Sequence, residues 1–130
     1  KVGFHTIDFG SFVSPKAIPQ MRDTAEVLSK LNLEGSSSKL LAIVANSRGA
    51  EQAASFSEIQ YLGYPFSVSE VFQKRNTNRT IEDSLILVDR MQNLVAKQNK
   101  ELVVYLSMAF GNPYGDEWST YIVAHWAKNY

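Results

Sequence analysis

The side chains able to do chemistry in this sequence cluster just after stretches that read as strands. Asp8 closes the first such stretch, and the hydroxyls of Ser11 and Ser14 follow it before Pro15. A carboxylate there can assist proton transfer, and hydroxyls beside it can bond an oxygen-rich ligand. Asn46 follows the second apolar run, Ser69 the third, and Ser107 and Asn112 the fourth. Ligands of α/β proteins gather where parallel strands end, so these positions would share one site. Each also has a plainer use: Asp8 and Ser11 can cap a loop, and Asn46 can form a turn. A charge at the end of a buried strand is costly without a role, which favours a functional Asp8. His125 lies on an apolar helix face and reads as a packing residue, while Trp118 and Trp126 read as core or interface.

Composition narrows the classes. Hydrophobic residues make up 45% of the 130 residues and charged residues 20%, a globular balance suited to one domain. Thirteen basic and thirteen acidic side chains cancel, so no net field draws the chain to nucleic acid or to an anionic membrane. Cysteine is absent, which excludes a disulfide framework and a thiolate metal site and fits a reducing compartment. No apolar run approaches the roughly 18 residues of a membrane span, and the first residues lack a signal-peptide pattern. No Gly-x-Gly-x-x-Gly or phosphate loop follows any strand, which weakens a nucleotide-binding reading.

The elements that would position these groups alternate. Strands are expected at residues 4–9, 39–44, 58–64 (stopped by Pro65) and 101–108. Pro15 and Pro19 lead into a helix whose Met21, Ala25, Leu28 and Leu31 face a core. Residues 50–56 form a short helix and 67–72 a turn or two, before a basic loop at 73–79. Thr80 caps a longer helix to about Gln98, with Glu82 and Asp83 in its first turn and Ile81, Leu85, Val88, Met91 and Val95 as its buried stripe. The last helix covers 119–128, with Tyr121, Ile122, His125 and Trp126 on its apolar side. Four strand–helix units imply parallel βαβ connections, in either a doubly wound sheet or half of a (β/α)8 barrel. Periodicity does not separate the two.

Three blocks in order make the reading specific. Gly-Ser-Phe-Val-Ser-Pro-Lys at 10–16, continued by Pro19-Gln20-Met21, resembles the loop after the second barrel strand of the 3-hydroxy-3-methylglutaryl-CoA lyases. Ser-Glu-Val-Phe-Gln-Lys-Arg-Asn-Thr-Asn at 69–78 is similar to that family's segment after strand four, and Tyr-Leu-Ser-Met-Ala-Phe-Gly-Asn-Pro-Tyr at 105–114 to the one after strand five. The resemblance implies an α/β fold, a partial TIM (β/α)8 barrel of about four parallel βα units. It implies one incomplete domain over residues 1–130, covering barrel strands two to five. It further implies a carbon–carbon lyase that cleaves 3-hydroxy-3-methylglutaryl-CoA to acetyl-CoA and acetoacetate. A divalent cation, magnesium or manganese, would polarise the tertiary alcohol of the substrate.

Carried over by position, Asp8 is the implied catalytic residue, orienting a strand-one arginine or assisting proton transfer. Ser11, Asn46, Ser69, Asn76, Ser107 and Asn112 are the implied substrate contacts, and Lys74, Arg75 and Arg79 would face the nucleotide phosphates of an acyl-CoA. The family's Arg-Asp pair, His-x-His pair, ligand asparagine and catalytic cysteine are not in these residues. The metal ligands are therefore expected outside this segment, which alone is expected to be inactive: a piece of a longer enzyme or a truncated gene product. Asp8 stands where the family has Glu, and Met108 and Asn112 replace its cysteines, so the acyl group itself is open. Two other readings stand beside this one: a non-catalytic half-barrel binding module, and a related aldolase or condensing enzyme for another acyl-CoA or oxo acid. The expected partners are an acyl-CoA and a second copy of the chain, with neither nucleic acid nor membrane. The expected location is the cytoplasm, or the mitochondrial matrix in a eukaryote.

Overall fold

A computed structural model describes residues 3–129 of the chain. Four strands, β1 (Thr6–Ser11), β2 (Lys39–Ile43), β3 (Ile59–Ser67) and β4 (Glu101–Ser107), pair in parallel in the order β1-β2-β3-β4. Helices α1 (Thr24–Lys30), α2 (Ser47–Ala54), α3 (Glu70–Thr77), α4 (Ile81–Lys97) and α5 (Thr120–Lys128) fill the connections. A doubly wound sheet reverses its strand order at a switch point; a barrel wall adds each strand beside the last. The order here is that of a barrel wall, which resolves the alternative left open by periodicity.

One core lies between the sheet and the helices. Leu40, Ala42, Val44, Leu62, Tyr64 and Phe66 point from the strands onto Ala50 and Ala53 of α2 and Leu87, Val88, Met91 and Val95 of α4. The other sheet face carries Asp8, Ile43, Pro65 and Tyr105 around an open cavity. Gly63 lies on this face: a Cβ there would come within 3.0 Å of Ile43 Cδ1, Leu41 Cδ2 and Tyr105 Cε2, so only glycine lets Tyr105 lie across the sheet.

Four expectations need correction. β1 starts and ends two residues later than the 4–9 segment, so Asp8 sits inside the strand, next to a bulge between Asp8 and Gly10. β3 does not stop at Pro65 but runs on to Ser67, with Pro65 opposite Tyr105. The Gly63 carbonyl accepts from Val44 N–H (2.9 Å), so it faces β2; Pro65, two residues on, faces the same way where β2 has already ended. Its missing N–H costs no ladder bond. Residues 73–77, expected as loop, are the second half of α3. Ser69 caps that helix by accepting from Phe72 N–H (3.1 Å), and Asn78 ends it in a left-handed conformation (φ 55°). Finally, Met21, Leu31 and Tyr121 are exposed; of the α1 stripe only Leu28 is fully buried, and no residue of α5 is fully buried.

The Trp126 ring of α5 packs on Phe66 (centroids 5.4 Å apart), and the His125 ring meets Trp126 edge-on at 5.1 Å, although His125 is itself exposed. No helix among the described residues is long and apolar enough to cross a membrane.

Candidate active site

A cavity of about 850 Å³ opens at the carboxyl ends of the four strands. β1 supplies Asp8 and Ser11, the β2–α2 loop Asn46, β4 Tyr105 and Ser107, the last turn of α3 Arg75 and Asn76, and the α3–α4 connection Arg79. Five of the seven candidate residues thus line one space: Asp8, Ser11, Asn46, Asn76 and Ser107. Arg75 and Arg79 join them from above. Lys74 lies on the other side of α3, in an ion pair with Glu70 one turn earlier (3.2 Å).

Ser69 and Asn112 do not line this cavity, and their bonds show why. Ser69 is buried; its Oγ caps α3 and donates to Asp116 Oδ2 (2.6 Å). Asn112 Oδ1 accepts from the N–H groups of Tyr114 (3.0 Å) and Asp116 (3.1 Å), and its Nδ2 donates to Asp116 O (2.9 Å). Both polar groups are spent on folding the β4–α5 loop against α3. Asp116 also accepts from Val71 N–H (3.1 Å). The Ser69 hydroxyl, then the Val71 N–H, hold its carboxyl below the ordinary range. The Tyr114 ring stacks on Phe72 (6.3 Å) and lies under the Arg75 guanidinium (4.9 Å). The loop therefore steadies the helix that brings Arg75 to the cavity.

Inside the cavity, partial burial raises the Asp8 carboxyl above its usual value, against the Gly10 N–H, which lowers it. Burial also raises the Tyr105 phenol, and the charge of Asp8 raises it further. Tyr105 was not a sequence candidate. Its signal was there, since it has the same strand parity as Ser107, but an aromatic residue within a strand reads as core. Ser11 donates its hydroxyl proton to Ile43 O (3.2 Å), so toward a ligand it is an acceptor. Asn46 Oδ1 takes the Gly49 N–H (2.8 Å), so what it can offer a ligand is its amide N–H groups. Asp8 is the one acid among the described lining residues. No three His, Asp or Glu side chains among the described residues gather closely enough to hold a metal ion.

No family model matches the sequence. Curated relatives do. The mitochondrial hydroxymethylglutaryl-CoA lyase of Gallus gallus is 34% identical over 129 residues, which is 98% of this chain and 42% of the relative. That of Homo sapiens is 33% identical over 131 residues, covering 100% of this chain and 39% of the relative. The chain is homologous to the hydroxymethylglutaryl-CoA lyases. It spans about two fifths of the length of these relatives. Solved lyase structures superpose on the same part. The Bacillus subtilis enzyme matches with a TM-score of 0.90 at 30% identity, over 99% of this chain and 43% of that one. The Acinetobacter baumannii lyase, solved with coenzyme A and 3-methylmalate, matches with a TM-score of 0.89 at 26% identity, over 98% and 41%. The four-stranded sheet thus matches part of the TIM-barrel wall of the solved hydroxymethylglutaryl-CoA lyases.

Proposed function

We propose that residues 1–130 form one incomplete barrel unit that supplies half of the mouth of a carbon–carbon lyase acting on 3-hydroxy-3-methylglutaryl-CoA. The observation that carries this reading is the meeting of Asp8, Ser11, Asn46, Asn76 and Ser107 in a single strand-end cavity of a lyase-like barrel wall. In the reaction, the tertiary hydroxyl loses its proton and collapses to the ketone of acetoacetate. The bond between C2 and C3 breaks, and its electron pair passes to the acetyl-CoA enolate, which then takes a proton.

Each residue has a role suited to its chemistry. Asp8, whose proton is held more firmly than usual, exchanges a proton with a substrate oxygen. Tyr105 keeps its phenolic proton at neutral pH and donates a hydrogen bond. Asn46 and Asn76 bond carbonyl oxygens, and Arg75 and Arg79 hold anionic groups. Asp8 and these neighbours do not make a cation site of their own. A magnesium or manganese ion of the kind the resemblance implies would need ligands from outside this segment.

A chimera tests the proposal. Residues 3–129 would replace the corresponding segment of the Bacillus subtilis lyase. Metal-dependent release of acetoacetate, lost in Asp8→Asn, is the expected result. A folded chimera that binds CoA but cleaves nothing would leave these residues as a binding module. A second substrate reading rests on Asp8, one methylene shorter than the family's Glu, which leaves room beside the reacting carbon. A relative from Pseudomonas aeruginosa, 33% identical over 112 residues, is named a 3-hydroxy-3-isohexenylglutaryl-CoA/hydroxymethylglutaryl-CoA lyase. Faster turnover of a bulkier 3-substituted substrate by the chimera would favour that class.

A further inference from the structure

Beside the strand-end cavity lies a second one of about 610 Å³, between the β1–α1 connection and the first turn of α2. Its lining residues include three arginines, Arg22, Arg48 and Arg79, and no Asp or Glu. Among the described residues none of the three arginines is in an ion pair; the two ion pairs present join Lys30 to Glu26 and Lys74 to Glu70. Among the described residues no carboxylate is therefore in contact with these three charges. Three like charges on one concave surface repel each other, and a bound anion relieves that repulsion.

The two cavities adjoin. Ser11, Val13, Ser14, Asn46 and Arg79 line both, so ligands in the two would be neighbours. The wall of the second cavity depends on close backbone packing. A Cβ on Gly49 would come within 2.2 Å of the Phe12 carbonyl oxygen, so α2 approaches the β1–α1 connection only because residue 49 is glycine. Arg22 and Arg48, 26 positions apart in sequence, both line this cavity.

We propose that this second cavity is a subsite for phosphoryl groups, with Arg22, Arg48 and Arg79 as its ligands. Guanidinium groups suit it because their paired N–H donors match phosphate oxygens two at a time. The inference deepens the acyl-CoA reading, and rests on it for the source of the phosphate: the nucleotide end of the substrate, lying far from its thioester. A free pyrophosphate-like effector has the same chemistry and is the other source.

Calorimetric titration of the 130-residue chain separates these cases, with inorganic pyrophosphate, coenzyme A and phosphate-free pantetheine as probes. Pyrophosphate and coenzyme A should bind more weakly as salt rises. R22A, R48A and R79A should each weaken both about tenfold, with partial recovery in the corresponding lysine variants. R90A, an exposed arginine on α4 that lines neither cavity, should change nothing. Pantetheine should be indifferent to R22A and R48A. Coenzyme A binding unchanged in R22A and R48A would overturn the subsite while leaving the acyl-CoA reading intact. Pyrophosphate binding that falls in these variants, with no binding of coenzyme A, would keep the subsite and overturn the substrate reading. Binding of neither probe, or an R90A effect equal to the others, would overturn the subsite.

Discussion

Two aspartates sit near the same end of the sheet, and their surroundings push them in opposite directions. Asp8 is raised by burial, so the folded chain holds its proton more tightly than the unfolded chain does. Stability from this group is greatest in acid and falls as pH rises through the ordinary carboxylate value toward the folded one. Asp8→Asn should therefore be more stable than the natural chain at pH 7, and the gain should vanish below about pH 4. Asp116 is lowered by the Ser69 hydroxyl and the Val71 N–H, so its contribution is present above the ordinary carboxylate value and lost as pH falls through the folded one. Asp116→Asn should be less stable at pH 7 and should approach the natural chain in acid. Urea midpoints at pH 3 and pH 7 check both, and equal shifts for the two variants would refute the assignment. A residue that costs stability while facing a cavity is the pattern of a group kept for chemistry.

Elements show what the sequence disclosed and what it withheld. The apolar runs of β2 and β4 were legible because such stretches bounded by polar loops have few alternatives, although only β2 carries fully buried residues. The long α4 was legible because Thr80 accepts from Asp83 N–H as a capping residue should, with Val88, Met91 and Val95 buried along one side. Helix α3 was not. Its second half, Gln-Lys-Arg-Asn-Thr, is polar and reads as loop, yet Gln73 is fully buried. Gln73 Oε1 accepts from Ser67 N–H (2.6 Å), and its two amide hydrogens are shared among Ser84 Oγ (2.8 Å), Thr77 Oγ1 (2.8 Å) and Tyr64 Oη (3.3 Å). Its partners come from β3, α3 and α4, so no local pattern could announce them. The same holds for Ser69 and Asn112: position after a strand marks a candidate, but only the fold shows whether the polar group is already used. Gln73→Leu should orphan the Ser67 N–H and cost about 2–4 kcal/mol in urea unfolding. A loss under about 0.5 kcal/mol would mean the network is not what ties α3 and α4 to the sheet.

On the scale of the whole molecule, the sheet has two bare edges, at β1 and β4, and an inner face that a complete barrel would enclose. Open edges recruit other strands. Near the β4 edge Phe110 and Tyr121 are 99% and 85% exposed, adding apolar surface to the unpaired backbone. The 130 residues taken alone should therefore self-associate. Sedimentation at rising concentration should show species heavier than a monomer, and a clean monomer throughout would contradict this. The barrel order of the strands was legible only through the family resemblance, because periodicity places the elements but not their neighbours. The chemistry nonetheless lies where a barrel puts it, at the carboxyl ends of the strands. The opposite end is structural: Lys100 Nζ bonds the carbonyls of Phe56 (2.7 Å) and Ile59 (2.6 Å), and burial lowers its pKa.

The central claim is that the strand-end cavity receives an acyl-CoA. Amide chemical-shift mapping of the isotope-labelled chain during titration with coenzyme A tests it directly. The shifts should concentrate at Ser11, Asn46, Asn76 and Ser107 and spare the outer residues of α4. Shifts confined to a separate groove between α4 and α5, lined by Gln92, His125 and Trp126, or no saturable shifts at all, would contradict the account.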